Sequence, residues 1–250
     1  MTPNTVGIVC ALQAEARHLG PARQRTESLA ALADGTLLHV SGMGSEAAAR
    51  GARALVDAGA TALVSWGMAG GLDPALTSGT LCLPSEIIAP NGPAIETTRL
   101  WREQLSATVA ARRRAVCGKL VTSARAVGSV EDKAALFRAT GAVAVDMESL
   151  AVAQVALSHG LPFLAVRVIV DGAGDALPKS VTVAADATGH LHVWRLLGAL
   201  ALAPAELPAL IRLARRYRAA SRSLAAVAHA GSLARCTLPL AGEPPTVAAS

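Results

Sequence analysis

The stretch Ala142–Ala153 constrains this chain more than any other. A short β-branched run, Val143-Ala144-Val145, ends abruptly in Asp146-Met147-Glu148 and turns at once into the helical pattern Ser149-Leu150-Ala151-Val152-Ala153. A strand passing directly into a helix, with acids at the joint, is how α/β enzymes present reactive side chains. Two readings of the joint stand side by side. Asp146 and Glu148 can cap the helix. Alternatively, Glu148 is kept ionised by the helix dipole and accepts hydrogen bonds from two vicinal hydroxyls, as on a ribose.

The same strand-to-helix change recurs along the chain. Val6–Cys10 reads as a buried first strand, with Glu15 near the start of the helical pattern that follows, beyond the strand's carboxyl end. Leu37–Ser41 reads as a second strand running into Gly42-Met43-Gly44-Ser45-Glu46-Ala47 and a helix to about Ala58. A third strand, Ala62 to Ser65, leads into Gly67-Met68-Ala69-Gly70-Gly71, whose glycines are expected to provide positive φ and close approach to a ligand. Helices are expected over Thr98–Arg114 and Glu131–Thr140, and a buried strand over Leu161–Asp171. That strand carries Arg167, a charge that needs a partner in an apolar run. The last quarter reads as helix over Val183–Ala203, a break at Pro204, and a second helix over about 205–230.

Composition narrows the function classes. Hydrophobic residues make up 52% of the 250, enough for one large domain, expected over 1–235, with 236–250 a loose tail. Aromatic residues are only 2%, which argues against the stacking platforms of single-stranded nucleic-acid binders, so no nucleic acid is expected. Cys10, Cys82, Cys117 and Cys236 are widely spaced, with no metal-ligand pattern and no disulfide framework. No metal site and no cofactor are expected. The chain starts without a signal-peptide pattern and has no apolar run near the ~20 residues of a membrane span, so a cytoplasmic protein is expected. The net charge of +5 is concentrated late, where Arg212, Arg215, Arg216, Arg218 and Arg222 share a helix with the apolar stripe Leu210, Leu213, Tyr217 and Leu224. That is a solvated outer face or a contact with anionic lipid at the inner face of the membrane.

Taken together, Gly67-Met68-Ala69-Gly70-Gly71-Leu72-Asp73-Pro74, Val145-Asp146-Met147-Glu148 and Arg167-Val168-Ile169-Val170-Asp171 resemble the nucleoside phosphorylase and nucleosidase superfamily. The likeness runs from about Val6 to Leu200. It is closest to methylthioadenosine/S-adenosylhomocysteine nucleosidases and, more narrowly, to the hopanoid-associated phosphorylases that act on adenosylhopane. The resemblance implies an α/β fold, a three-layer αβα sandwich around a central mixed β-sheet, assembled as a dimer or larger oligomer. It implies that Glu148 holds the ribose hydroxyls, that Met147 packs on the sugar and that Met43 borders it. It further implies Asp171 as the acid that protonates purine N7, Arg167 as the strand arginine near that site with a structural or supporting role, and Glu15 as the base that activates water. Met68, Gly70 and Val127 fall on positions lining the nucleoside site.

The chain also departs from that pattern. Ser65 stands where phosphorylases carry a phosphate-binding arginine, and Met68 where a serine is usual. Val170 replaces the serine before the acid, and Val127 a base-stacking aromatic. The segment Ile88–Trp101 is shorter than the nucleosidases' loop over the ribose 5′ side, which opens room for a bulky apolar 5′ group. The expectation is cleavage of an adenine nucleoside, with water favoured over phosphate as acceptor. Two other classes compete with it. Gly42-Met43-Gly44 with Ala47 is formally a dinucleotide fingerprint and suggests an NAD(P) oxidoreductase, although no acid ends the next strand. The basic helix alone suggests a non-catalytic lipid-surface protein.

Overall fold

The computed structural model describes residues 5–25, 29–90, 92–110, 114–178 and 207–230. Among them, the parallel strands β1 (Val6–Cys10), β4 (Leu37–Val40), β5 (Ala62–Gly71) and β12 (Phe163–Asp171) form the middle of a twelve-stranded mixed sheet. β1 lies between β4 and β5, and β12 pairs along most of β5, from Phe163 opposite Leu63 to Asp171 opposite Gly70. At its far end β5 meets β11 (Ala144–Asp146) antiparallel, and β11 is followed in the sheet by β10 (Lys119–Thr122), β7 (Glu86–Ile88) and β8 (Ala94–Glu96). The short strands β6 (Leu81–Cys82) and β9 (Ala115–Val116) hang from the other side of β12.

β1, β5 and β12 are buried on both faces, which is why they read as continuous apolar runs. Alternate residues separate the core into two layers. Val6, Ile8, Val64, Trp66, Val166 and Val168 pack with helix α3 (Arg99–Ala110) and the terminal helix, α6 (Leu207–His229). Val9, Leu63, Phe163 and Ala165 pack with α2 (Ser45–Asp57) and α5 (Ser149–Ser158) on the opposite face. The result is the expected αβα sandwich. Small residues on α2 and α5, such as Ala48, Ala52, Ala153 and Ala156, are wholly buried and let these helices sit close to the sheet.

Helix α4 (Val130–Thr140) shows local sequence control most clearly. Ser129 accepts a hydrogen bond from the Asp132 N–H, acids occupy the first turn, and Gly141 closes the helix at φ 64°. Elsewhere tertiary structure revised the expectations. β5 continues through Gly67 and Gly70 to Gly71, none of them at positive φ, so their value lies in close approach alone. A hairpin of β2 (Ala22–Arg25) and β3 (Leu29–Leu32) precedes β4, where no strand was expected, because Ala22-Arg23-Gln24-Arg25 carries no apolar alternation. The helix after β1 is only Gln13–Ala16 (α1), followed by a 3₁₀ turn, Arg17–Leu19. The expected Val183–Ala203 helix and the 236–250 tail lie outside the described residues.

Candidate active site

The carboxyl ends of the strands open on one cavity of about 220 Å³. Its wall includes Glu15, Met43, Met68, Gly70, Val127, Met147, Glu148 and Asp171, so eight of the nine residues singled out from sequence share it. This is the edge at which open α/β sheets bind ligands. The ninth, Arg167, lines a second cavity of about 10 Å³ that also touches Glu15, Ser65, Met68 and Glu148.

Glu15 is buried. Its Oε1 accepts from the Met68 N–H at 2.9 Å, and its Oε2 from the Leu12 N–H at 3.1 Å. Burial nonetheless raises its pKa above the ordinary carboxylate range. A Cβ at Gly67 would stand 2.8 Å from Glu15 Oε1, so only glycine there leaves the carboxylate its place.

Glu148 reaches out of β11's end to the start of α2. Its Oε1 accepts from the Gly44 N–H at 2.9 Å, while the Ser45 hydroxyl donates to the Met147 carbonyl at 3.0 Å. Gly42 and Gly44 take φ of 84° and 93° to make this turn. The glycine loop that suggested a dinucleotide site therefore spends this amide on a carboxylate of the chain itself. Desolvation, then the neighbouring Asp146 charge, raise Glu148 to about 7, so the helix start does not keep it fully ionised as the sequence suggested. Glu148 makes no cap bond to α5; that task falls to Asp146, whose carboxylate accepts from the Ser149 N–H at 3.1 Å.

Asp146 is also the partner that Arg167 needed. Arg167 Nε donates to Asp146 Oδ2 at 2.9 Å, Nη2 to the same atom and to the Ser65 hydroxyl at 2.6 Å, and Nη1 to the Val166 carbonyl. All three guanidinium nitrogens are engaged beneath the site. Asp146 additionally accepts from the Thr122 hydroxyl at 2.7 Å, so the pair is satisfied throughout.

Asp171 lies past a register shift between Ile169 and Asp171, a bulge that breaks the strand's alternation and re-aims its end. Its carboxylate oxygens stand 3.6 and 3.8 Å from where a Gly70 side chain would begin. Burial raises its pKa, opposed chiefly by Lys133 of α4, with which it forms a buried ion pair. Sequence reasoning missed Lys133, and it missed Leu12, Arg125 and Leu177 of the cavity wall. Leu177 could not be found from pattern; its N–H donates to the Gly128 carbonyl, which folds the chain after Asp171 back over Val127. Arg216, expected on an outward basic face, instead turns inward and pairs with Asp175, while Arg212, Arg215, Arg218 and Arg222 are exposed. No group of histidine, cysteine or acidic residues suited to a metal occurs among the described residues, and no described helix is long and apolar enough to cross a membrane.

The αβα sandwich with carboxylates gathered at its strand ends has the form of an α/β enzyme, and residues 5–197 match the phosphorylase superfamily; the chain belongs to that family. It is 28% identical over 165 residues to the 5′-methylthioadenosine/S-adenosylhomocysteine nucleosidase of Baumannia cicadellinicola subsp. Homalodisca coagulata, covering 56% of this chain and 69% of that one. Among solved structures, the corresponding nucleosidase of Neisseria meningitidis, in complex with methylthio-immucillin-A, is similar with a TM-score of 0.68 at 19% identity. It spans 92% of this chain and 99% of its own. The Helicobacter pylori nucleosidase gives 0.63 at 18% identity, over 70% and 88%. At these identities the structural likeness speaks for the fold.

Proposed function

We propose that the chain hydrolyses the N-glycosidic bond of a 5′-substituted adenosine, releasing adenine. The observation that carries this reading is the convergence of Glu15, Glu148 and Asp171 on one cavity from three separate strand ends. Their roles follow from chemistry. As the glycosidic bond breaks, its electron pair passes to the purine and Asp171 supplies a proton to N7. Positive charge grows on the sugar, where Glu148 holds the hydroxyls and faces that charge. Glu15 takes the proton of a water that adds to the anomeric carbon.

Water is favoured over phosphate on three counts. The inner cavity beside Glu15 and Arg167, at about 10 Å³, has room for one water and not for a phosphate. Arg167 already donates from each of its three nitrogens to protein acceptors, with Asp146 as its counter-charge. Buried Glu15 would repel one.

The finer reading is a bulky apolar 5′ group, such as that of adenosylhopane, against the walls formed by Leu12, Met43, Met68 and Met147. Exposed Leu207 and Ile211 beside Arg212 and Arg215 on α6 fit a protein that touches anionic lipid to reach such a substrate. A homo-oligomer belongs to the same reading.

The test is product analysis with methylthioadenosine, adenosylhopane and adenosine, each with and without phosphate. Adenine and a free 5′-substituted ribose should appear in phosphate-free buffer. A strict phosphate requirement with a ribose 1-phosphate product overturns hydrolysis, and no adenine from any of the three overturns the whole reading.

A further inference from the structure

Lys133 stands behind Asp171 and outside the cavity wall, with its side chain fully buried. Its Nζ donates to three oxygens: Asp171 Oδ2, the Gly172 carbonyl at 2.9 Å and the Asp175 carbonyl at 2.8 Å. Three acceptors match the three N–H bonds of an ammonium, whereas a neutral amine has only two. Lys133 is therefore a fixed positive charge held against the proposed acid.

Stability does not account for such a residue. Position 133 lies one turn before Leu136 and Phe137, which pack against the core, so an apolar side chain would suit that helix face. Burying an ion pair in place of apolar groups is commonly neutral or unfavourable for stability. The other charges facing Asp171 are Asp175 and Arg216, and these pair with each other. Asp175 raises and Arg216 lowers the Asp171 carboxyl, so the two oppose each other, and Lys133 is the charge that acts on it most strongly.

We propose that Lys133 is a positioning residue that sets the acid strength of Asp171 during base release, an inference that rests on the functional reading above. When Asp171 gives its proton to N7, the O–H electron pair stays behind as carboxylate charge. The ammonium at Oδ2 faces that charge before it forms, so nothing must reorganise as the proton leaves. Without it, a buried carboxyl would hold its proton too tightly to assist the departing purine. The three bonds from Nζ also fix the 171–175 turn, and with it the direction of the acid. After adenine leaves, Glu15 gives the proton it took from water to solvent, Asp171 takes one back, and the cycle closes.

The experiment compares wild type with Lys133→Met, Lys133→Gln and Lys133→Arg in the pH dependence of kcat for adenine release. p-Nitrophenyl β-riboside serves as a second substrate, since p-nitrophenolate departs without being protonated. For Lys133→Met, kcat on the adenine nucleoside should fall on the order of 10²-fold. Its alkaline limb, where Asp171 loses the proton, should move up by about one pH unit or more. The ratio of p-nitrophenyl riboside to adenine nucleoside turnover should rise at least about tenfold. Lys133→Arg, which keeps the charge, should return the limb towards wild type. Lys133→Gln, which can still donate to both carbonyls, carries the comparison if Lys133→Met does not fold. An alkaline limb unmoved in the neutral variants, or the two substrates falling in parallel, overturns the role given to Lys133. Wild-type protein that releases no adenine overturns the functional reading instead, so the two failures are distinguishable.

Discussion

The backbone N–H of Gly44 lies 2.9 Å from Glu148 Oε1, joining the start of α2 to the end of β11 across 104 residues of chain. This contact joins a glycine turn and a strand-end acid into a single feature at the cavity wall. Gly44 adopts φ 93°, ψ 160°, a conformation closed to residues with a side chain, although no atom crowds it. Gly44→Ala should therefore act through backbone strain, at a cost of about 1–3 kcal/mol, and should displace the amide. Thermal melts should show the loss of stability, and steady-state kinetics a rise in KM for the nucleoside.

Gly67→Ala tests the placement of Glu15 without altering any acid. The new Cβ would meet Glu15 Oε1 at 2.8 Å, so the carboxylate must shift. A fall in kcat on the order of tenfold or more is expected, since small misplacements of a positioned group are costly. Single-turnover rates against wild type measure it. An unchanged rate would remove Glu15 from the water-activating role.

Glu148 couples activity to stability through pH. Its carboxyl is raised from 4.5 to about 7 in the folded chain. Between those values the folded state holds a proton that the unfolded state has released, so this group's stability contribution is present below 4.5 and lost as pH rises through 7. Glu148→Gln removes the penalty. The variant should be more stable than the parent by on the order of 1 kcal/mol at about pH 8, with little difference at about pH 4. Denaturant titrations at the two pH values measure this, and the same variant should bind and turn over nucleoside poorly.

Asp171→Asn should abolish adenine release, a loss of 10²–10⁴-fold for a general acid, but it should not be structurally silent. It leaves the buried Lys133 ammonium without its counter-charge, which costs about 3–5 kcal/mol when one member of a buried pair is removed. The double variant Asp171→Asn/Lys133→Met should regain much of that stability while remaining inactive. A double-mutant cycle in denaturant measures the coupling. Additive effects would show that the pair does not interact as the geometry requires.

Much of the architecture is written locally. The buried strands appear as apolar runs, α4 carries its own start and stop in Ser129 and Gly141, and the acids stand at strand ends in an order that already resembles the family. What the sequence determined by itself is therefore the layered α/β framework and the edge at which chemistry belongs, because periodicity and capping act over a few residues. Only the tertiary structure decided how the acids are tuned. Lys133 reads in sequence as one more helix lysine, yet it is wholly buried against a carboxylate 38 residues away. The bulge that aims Asp171, the inward turn of Arg216 and the three-way engagement of Arg167 are equally silent in the pattern. Burial and the company of other charges are properties of packed surfaces, and no local rule specifies which distant segment will supply the partner.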